Sequence, residues 1–230
     1  IWDYFPEGKN SQTIIMGGYV AATAVGILGF GGWIPFALMY LIDTSRIHRN
    51  IMCNHAGDTY ARLVTLIFAI TYVFNPEIAN VGTLNWYLEN GNMGIDETWS
   101  PWGLRMIMAL WISCYVNAGI HKLKGPMWRD GTASFYPLFV SGFRRFPVPH
   151  FLMRPLWIKI GTWGTIITEL GAITAIFPEC RPYIVWMIAM MHVVFGYCLN
   201  LQLFGAIMIS VCTVWIFPET AHNILQSIGW

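Results

Sequence analysis

The sequence predicts an all-α fold, a polytopic bundle of five or six transmembrane helices with a long, partly interfacial loop over residues 124–156. Three observations predict it. Hydrophobic residues make up 56% of the 230 residues and charged residues only 11%, with mean hydropathy +0.51. A soluble domain carries roughly 25% charged residues, so this chain has too few to coat a water-facing surface. Its apolar residues fall into runs near the length a bilayer needs, about 20 residues. The charges lie between those runs, with the two signs kept apart.

In chain order, the first apolar run covers about 11–42. Ser11–Phe30 alone is long enough to cross. Gly18, Ala22 and Gly26 fall at i, i+4 and i+8, a small-residue stripe that permits close helix contact. Gly31–Pro35 then bends or ends the helix, and Phe36–Ile42 continues it or lies in the interface. One span is expected, with a hairpin as the alternative. A polar loop follows, and a second helix over 60–75 stops at Asn75-Pro76. Residues 77–100 are acidic and turn-rich. The third helix, 102–122, ends in a basic cluster. Residues 124–156 carry too many prolines and too many residues for a plain connector. The remaining spans are expected at 157–177, 183–199 and 203–217, in one membrane domain.

The charges test this map. Ten of the thirteen Lys and Arg are Arg46, Arg49, Arg62 and the seven between Lys122 and Lys159. Eight of the twelve acids are Asp3, Glu7, Glu77, Glu89, Asp96, Glu97, Glu179 and Glu219. Six spans put the two groups on opposite sides. The positive-inside rule then places loops 43–62 and 122–159 in the cytoplasm, and loop 77–100 and both termini outside. Twelve Trp and ten Tyr suit two interfacial belts. The partners expected are the lipid bilayer and other membrane subunits. A net charge of +1 gives no argument for nucleic acid. The five cysteines are scattered and odd in number, and read as small core residues.

The candidate chemistry centres on the third helix. Lys122 at its foot can act as a base if desolvation makes the neutral amine accessible, with His121 relaying a proton and Asn117 one turn earlier. On spacing alone the simpler reading is preferred: Lys122 snorkels to headgroups as one more cytoplasmic charge. Glu169 lies halfway along an apolar run, where an acid must be neutral, paired or in a wet cavity. It is a proton carrier, a counter-ion to Lys122 or Arg105, or a purely structural pair between helices. Arg105 reads more simply as a partner of exterior phosphates or the acidic loop. His192, inside a helix, can ligate a haem or chlorophyll-type pigment, although a hydrogen-bonded core histidine is the commoner case. Asn200 and Gln202 satisfy backbone groups freed at a helix break, or contact a polar ligand head. His48, Cys53, His55 and Asp58 match no metal template and are loop residues; no metal site is expected.

The stretch Asn117–Gly131, NAGIHKLKGPMWRDG, resembles the signature of the HTTM membrane domain at Gly119, Lys122, Leu123, Trp128 and Gly131. Glu169-Leu170-Gly171 resembles that family's acidic helix, and Asn200-x-Gln202-Leu203-Phe204 with Pro218 its last helix pair. The resemblance covers roughly residues 101–218. The family includes the vitamin K-dependent γ-carboxylases. By resemblance, Lys122 is the base that deprotonates a quinol, whose oxygenated product then abstracts a proton from a substrate glutamate. His121 loosely keeps the basic neighbour found there. The carboxylase site faces the lumen, whereas the charge map puts Lys122 on the cytoplasmic side.

Two functions remain open at this level. One is a non-catalytic structural or ligand-holding subunit of a larger membrane complex. The other is a membrane-embedded enzyme of the carboxylase type, with Lys122 as base, His121 and Glu169 assisting, and a hydrophobic molecule against His192, Asn200, Gln202 and Trp128. That molecule is a quinone, a lipid or a pigment.

Overall fold

The computed structural model describes residues 9–49, 56–92, 94, 102–140, 142 and 147–227, and every regular element among them is helical. The chain divides into two compact units, Ile1–Ile107 with Pro218–Trp230, and Met108–Phe217.

In the first unit, α1 (Lys9–Ile27) and α2 (Ile34–Arg49) are separate helices that pack against each other. The turn between them needs glycine: Gly29, Gly31 and Gly32 have φ of 85°, 79° and 58°, a region costly for side chains with a Cβ. Pro35, in the first turn of α2, has its ring where no amide donor is needed. The run 11–42 is therefore a helical hairpin and not one helix. α3 (Ala56–Phe74) packs on α2, with Phe36 stacked on Phe68 and Tyr72 at centroid distances of 5.5 and 5.2 Å. Arg46 ties the same two helices, reaching Asp43 at 2.9 Å and Asp58 at 3.4 Å. Pro76 opens the short α4 (Pro76–Asn80). α5 (Leu84–Asn90) is capped by Thr83, whose hydroxyl accepts from the Trp86 amide, and closed by Gly91.

The longest helix, α6 (Trp102–Lys124), spans 23 residues. His121, Lys122 and Lys124 lie in its last turn, where the helix dipole favours cations. In the second unit it is followed by α7 (Pro126–Arg129), α8 (Phe135–Phe139) and a 3₁₀ turn at His150–Met153, so residues 124–156 carry short helical pieces. α9 (Pro155–Gly171) opens on a proline and relaxes into 3₁₀ geometry over Ala172–Ile176. α10 (Arg181–Cys198) and α11 (Gln202–Val211) are joined by Leu199–Leu201, where Asn200 takes a positive φ of 57°. α11 ends in a 3₁₀ turn, Cys212–Trp215, and α12 (Pro218–Ser227) belongs to the first unit.

α10 and α11 touch backbone to backbone. A Cβ on Gly205 would lie 3.0 Å from the His192 carbonyl oxygen and 3.6 Å from Gly196 Cα. The core of the unit is aromatic: Trp111, fully buried, sits 4.8 Å from Tyr115 and 5.2 Å from Trp215, centroid to centroid.

Among the described residues one helix, Trp102–Lys124, is long and apolar enough to cross a membrane; Gln202–Trp215 is apolar but shorter. The other expected spans fall short for visible reasons. α3 carries Asp58 and Arg62 near its start, α9 has 17 residues, and α10 begins with Arg181 and Pro182.

Candidate functional site

The inward stripe of α6 is Ile107, Trp111, Tyr115 and Gly119 at successive i+4 steps, all buried, with Lys122 three residues further on. α9 turns a polar stripe inward: Thr162, Thr165, Thr168 and Glu169 are buried. The two helices can approach because residue 119 is glycine. A Cβ there would sit 2.8 Å from Leu170 Cγ and Cδ2 and 3.3 Å from the Leu170 amide nitrogen.

That approach brings Lys122 and Glu169 together. Lys122 Nζ donates to both carboxylate oxygens, Oε1 at 2.5 Å and Oε2 at 2.6 Å. The Glu169 side chain is 6% exposed and that of Lys122 24%. Trp128 lies over the ammonium, its ring centroid 5.2 Å from Nζ, a cation–π arrangement. Both ends of the segment carrying Trp128 are held. The Gly125 amide donates to the Lys122 carbonyl at 2.9 Å. Gly131 (φ 75°) lies so close to Lys159 and Trp163 of α9 that a Cβ would meet them at 3.0 and 3.2 Å. Ser134 then anchors to α9 through the Ile158 carbonyl at 2.8 Å and the Thr162 hydroxyl at 2.9 Å.

A second buried polar contact joins Tyr115 Oη and His192 Nε2 at 2.6 Å. His192 is 2% exposed, with the edges of Phe204 and Phe195 against it, and its Nδ1 has no hydrogen-bond partner among the described residues. His192 is thus a core histidine bonded to tyrosine.

The other sequence candidates lie apart from the pair. His121 is exposed, on the outer stripe of α6 with Ser113, Asn117 and Ile120. Asn117 donates to its own helix at the Ser113 carbonyl. Gln202 donates to Asn200 at 3.1 Å in the exposed α10–α11 turn. His48 is exposed, Asp58 faces Arg46, and Cys53 and His55 fall outside the described residues. Among the described residues no group of three or more His, Cys, Asp or Glu is placed to hold a metal ion. Tyr115 and the threonine stripe of α9 are the residues the sequence reading did not single out. Their signals were spacing: Tyr115 is seven residues before Lys122, and Thr162, Thr165 and Thr168 recur every three.

Among the described residues, fold and site define a helical protein with one helix long and apolar enough to cross a membrane and a part-buried lysine–glutamate pair beside a tryptophan. No family model and no solved structure matches it. It is similar to the uncharacterized protein YitO of Bacillus subtilis (strain 168), 28% identical over 111 residues, 45% of this chain and 36% of that protein. The match thus spans about a third of that relative's length.

Proposed function

We propose that this chain is an integral membrane protein with an HTTM-like helix bundle, serving as a ligand-holding, non-catalytic component of a larger membrane complex. Its Lys122–Glu169 pair holds the polar head of a hydrophobic molecule, a quinone-like compound or a lipid. The observation that carries this reading is the pair itself. A carboxylate desolvated between helices costs free energy that its attraction to an ammonium rarely returns in full, so the presence of the pair argues for a role beyond packing. The inverted polarity of α9 supports the membrane setting: its threonines and Glu169 face in, while Trp157, Ile160, Trp163 and Ile167 are exposed. In this reading the basic segments 43–62 and 122–159, which the structure makes partly helical and not plain loops, are cytoplasmic and segment 77–100 is outside. The α1–α2 hairpin puts the amino terminus on the side of loop 43–62, opposite to where a single span would put it.

The second reading is the carboxylase-type enzyme with Lys122 as base. It draws support from the double contact of Lys122 with Glu169, which gives a proton taken up by the amine a carboxylate to pass to.

Mass spectrometry of small molecules co-purifying with the full chain tests the first reading. A hydrophobic molecule is expected with wild type and lost from Lys122→Ala. Equal amounts in both would end the ligand-holding reading. Loss of complex assembly in Lys122→Ala, with no molecule lost, would leave a scaffold only.

A further inference from the structure

We infer that Trp128 is a displaceable roof over Lys122, and that the site beneath it selects an uncharged, hydrogen-bonding head over an anionic one. The inference rests on the ligand-holding reading and adds to it the charge class of the ligand and the part that moves.

Lysine has three N–H donors. Both Glu169 oxygens take donors at 2.5 and 2.6 Å, and the Trp128 ring faces the ammonium at 5.2 Å. The Lys122 side chain keeps 24% exposure, so a polar head that comes to the ammonium on the ring's side exchanges the cation–π contact for a hydrogen bond. The covering segment is short and held at its two ends. It is a four-residue helical turn, Pro126–Arg129, between Gly125 and Gly131, with its far end pinned to α9 beside Lys159 and Trp163. The segment bridges the two helices that carry the pair, so the roof can swing without parting them.

The selection follows from charge. Lys122 and Glu169 together carry no net charge, and Glu169 is almost fully buried. An anionic head brought to Lys122 meets the Glu169 carboxylate in a medium of low dielectric, where like charges repel strongly. A hydroxyl or carbonyl accepts the third N–H without that cost. The cations around the segment, Lys124, Arg129 and Lys159, are exposed, so they draw anionic headgroups to the surface and away from the pair.

The test uses the full chain in phosphatidylcholine nanodiscs with two photoreactive probes of the same acyl chain. One ends in a glycerol hydroxyl head, the other in a phosphate monoester. Labelling is mapped by peptide mass spectrometry to residues 122–131. Wild type is expected to take the hydroxyl probe several-fold more than the phosphate probe. Trp128→Ala should raise hydroxyl labelling roughly fivefold, about 1 kcal/mol at 1.4 kcal/mol per tenfold, while Trp128→Phe stays near wild type. Glu169→Gln, which leaves Lys122 unopposed, should invert the preference toward phosphate. Equal labelling by both probes in wild type refutes the selection. Unchanged labelling in Trp128→Ala refutes the roof. If neither probe labels while a co-purified molecule still depends on Lys122, this inference fails and the ligand-holding reading stands. If that dependence is also absent, both fall.

Discussion

Removing one member of the Lys122–Glu169 pair should cost more from one side than from the other. The Glu169 side chain is 6% exposed, on the inward face of α9, and Lys122 is 24% exposed in the last turn of α6. Lys122→Met leaves a carboxylate shut among apolar and threonine side chains. An uncompensated buried charge costs about 3–5 kcal/mol, so a loss of about 3 kcal/mol is expected. Glu169→Gln leaves an ammonium on a long stem near a helix end. That group can swing toward headgroups, and the dipole of α6 favours it there, so the expected loss is only about 1 kcal/mol. The double variant removes both charges and should cost less than Lys122→Met alone, a coupling of about 2 kcal/mol. Reversible unfolding in mixed micelles, followed by far-ultraviolet circular dichroism, measures all three. Equal single losses that simply add in the double variant would mean the two groups are solvated separately, and the site as described would not exist.

Three further outcomes are expected. Gly119→Ala places a Cβ against the Leu170 side chain and, at 3.3 Å, its backbone nitrogen, which cannot yield without moving α9; about 1–3 kcal/mol should be lost, and the variant should shed co-purifying molecules as Lys122→Ala does. A variant of wild-type stability would show the helices are not held at that distance. Tyr115→Phe leaves His192 Nε2 unpaired beside an already unpartnered Nδ1; thermal unfolding should register a loss of about 1–3 kcal/mol, and no loss would mean water replaces the hydroxyl. Cys180 is exposed in the turn before α10, whereas Cys212 is buried. An impermeant maleimide applied to the outer side of intact cells should label the chain and fail on Cys180→Ser; labelling only from the inner side would reverse the proposed topology.

The prolines were legible as breaks and not as helix starts. Pro76, Pro126, Pro155 and Pro182 each stand in the first turn of a helix, where the amide donor that proline lacks is not needed. The pairing of Glu169 was legible as one of three options, since an acid in an apolar run is neutral, paired or in a wet cavity. Which partner it takes was not, because that depends on Gly119 letting α9 approach, a contact 51 residues apart in sequence between 119 and 170. Sequence alone leaves the hairpin in 11–42 as an alternative to one span. Gly29, Gly31 and Gly32 mark a break, but whether a chain bends or folds back is decided by what α2 packs on, and that is α3. His121 lies apart from the pair for a related reason: adjacent helical residues point about 100° apart, so the neighbour of the part-buried Lys122 lands on the outer face.

The second unit also bears on what surrounds it. α10 buries Ile184, Ile188, His192 and Gly196 in one stripe and exposes Trp186, Met187, Met190, Val193, Val194 and Tyr197. Full burial of such a side chain is worth about 1.5–3 kcal/mol, and these six, partly exposed, leave a good part of that unused in water. Meanwhile the inward polar groups manage without water. Thr162 and Thr165 donate to carbonyls one turn back on their own helix, at 2.9 and 2.8 Å, and Glu169 has Lys122. An α9 whose buried threonines and Glu169 are bonded within, beside helices whose apolar side chains look outward, fits an apolar solvent, and the buried groups of this unit left without a partner among the described residues, Trp111 Nε1, His192 Nδ1 and Trp215 Nε1, are few. Lipid and the apolar face of a partner subunit meet that need equally. The Lys122–Glu169 pair depends on neither neighbour, since each charge already faces the other across α6 and α9.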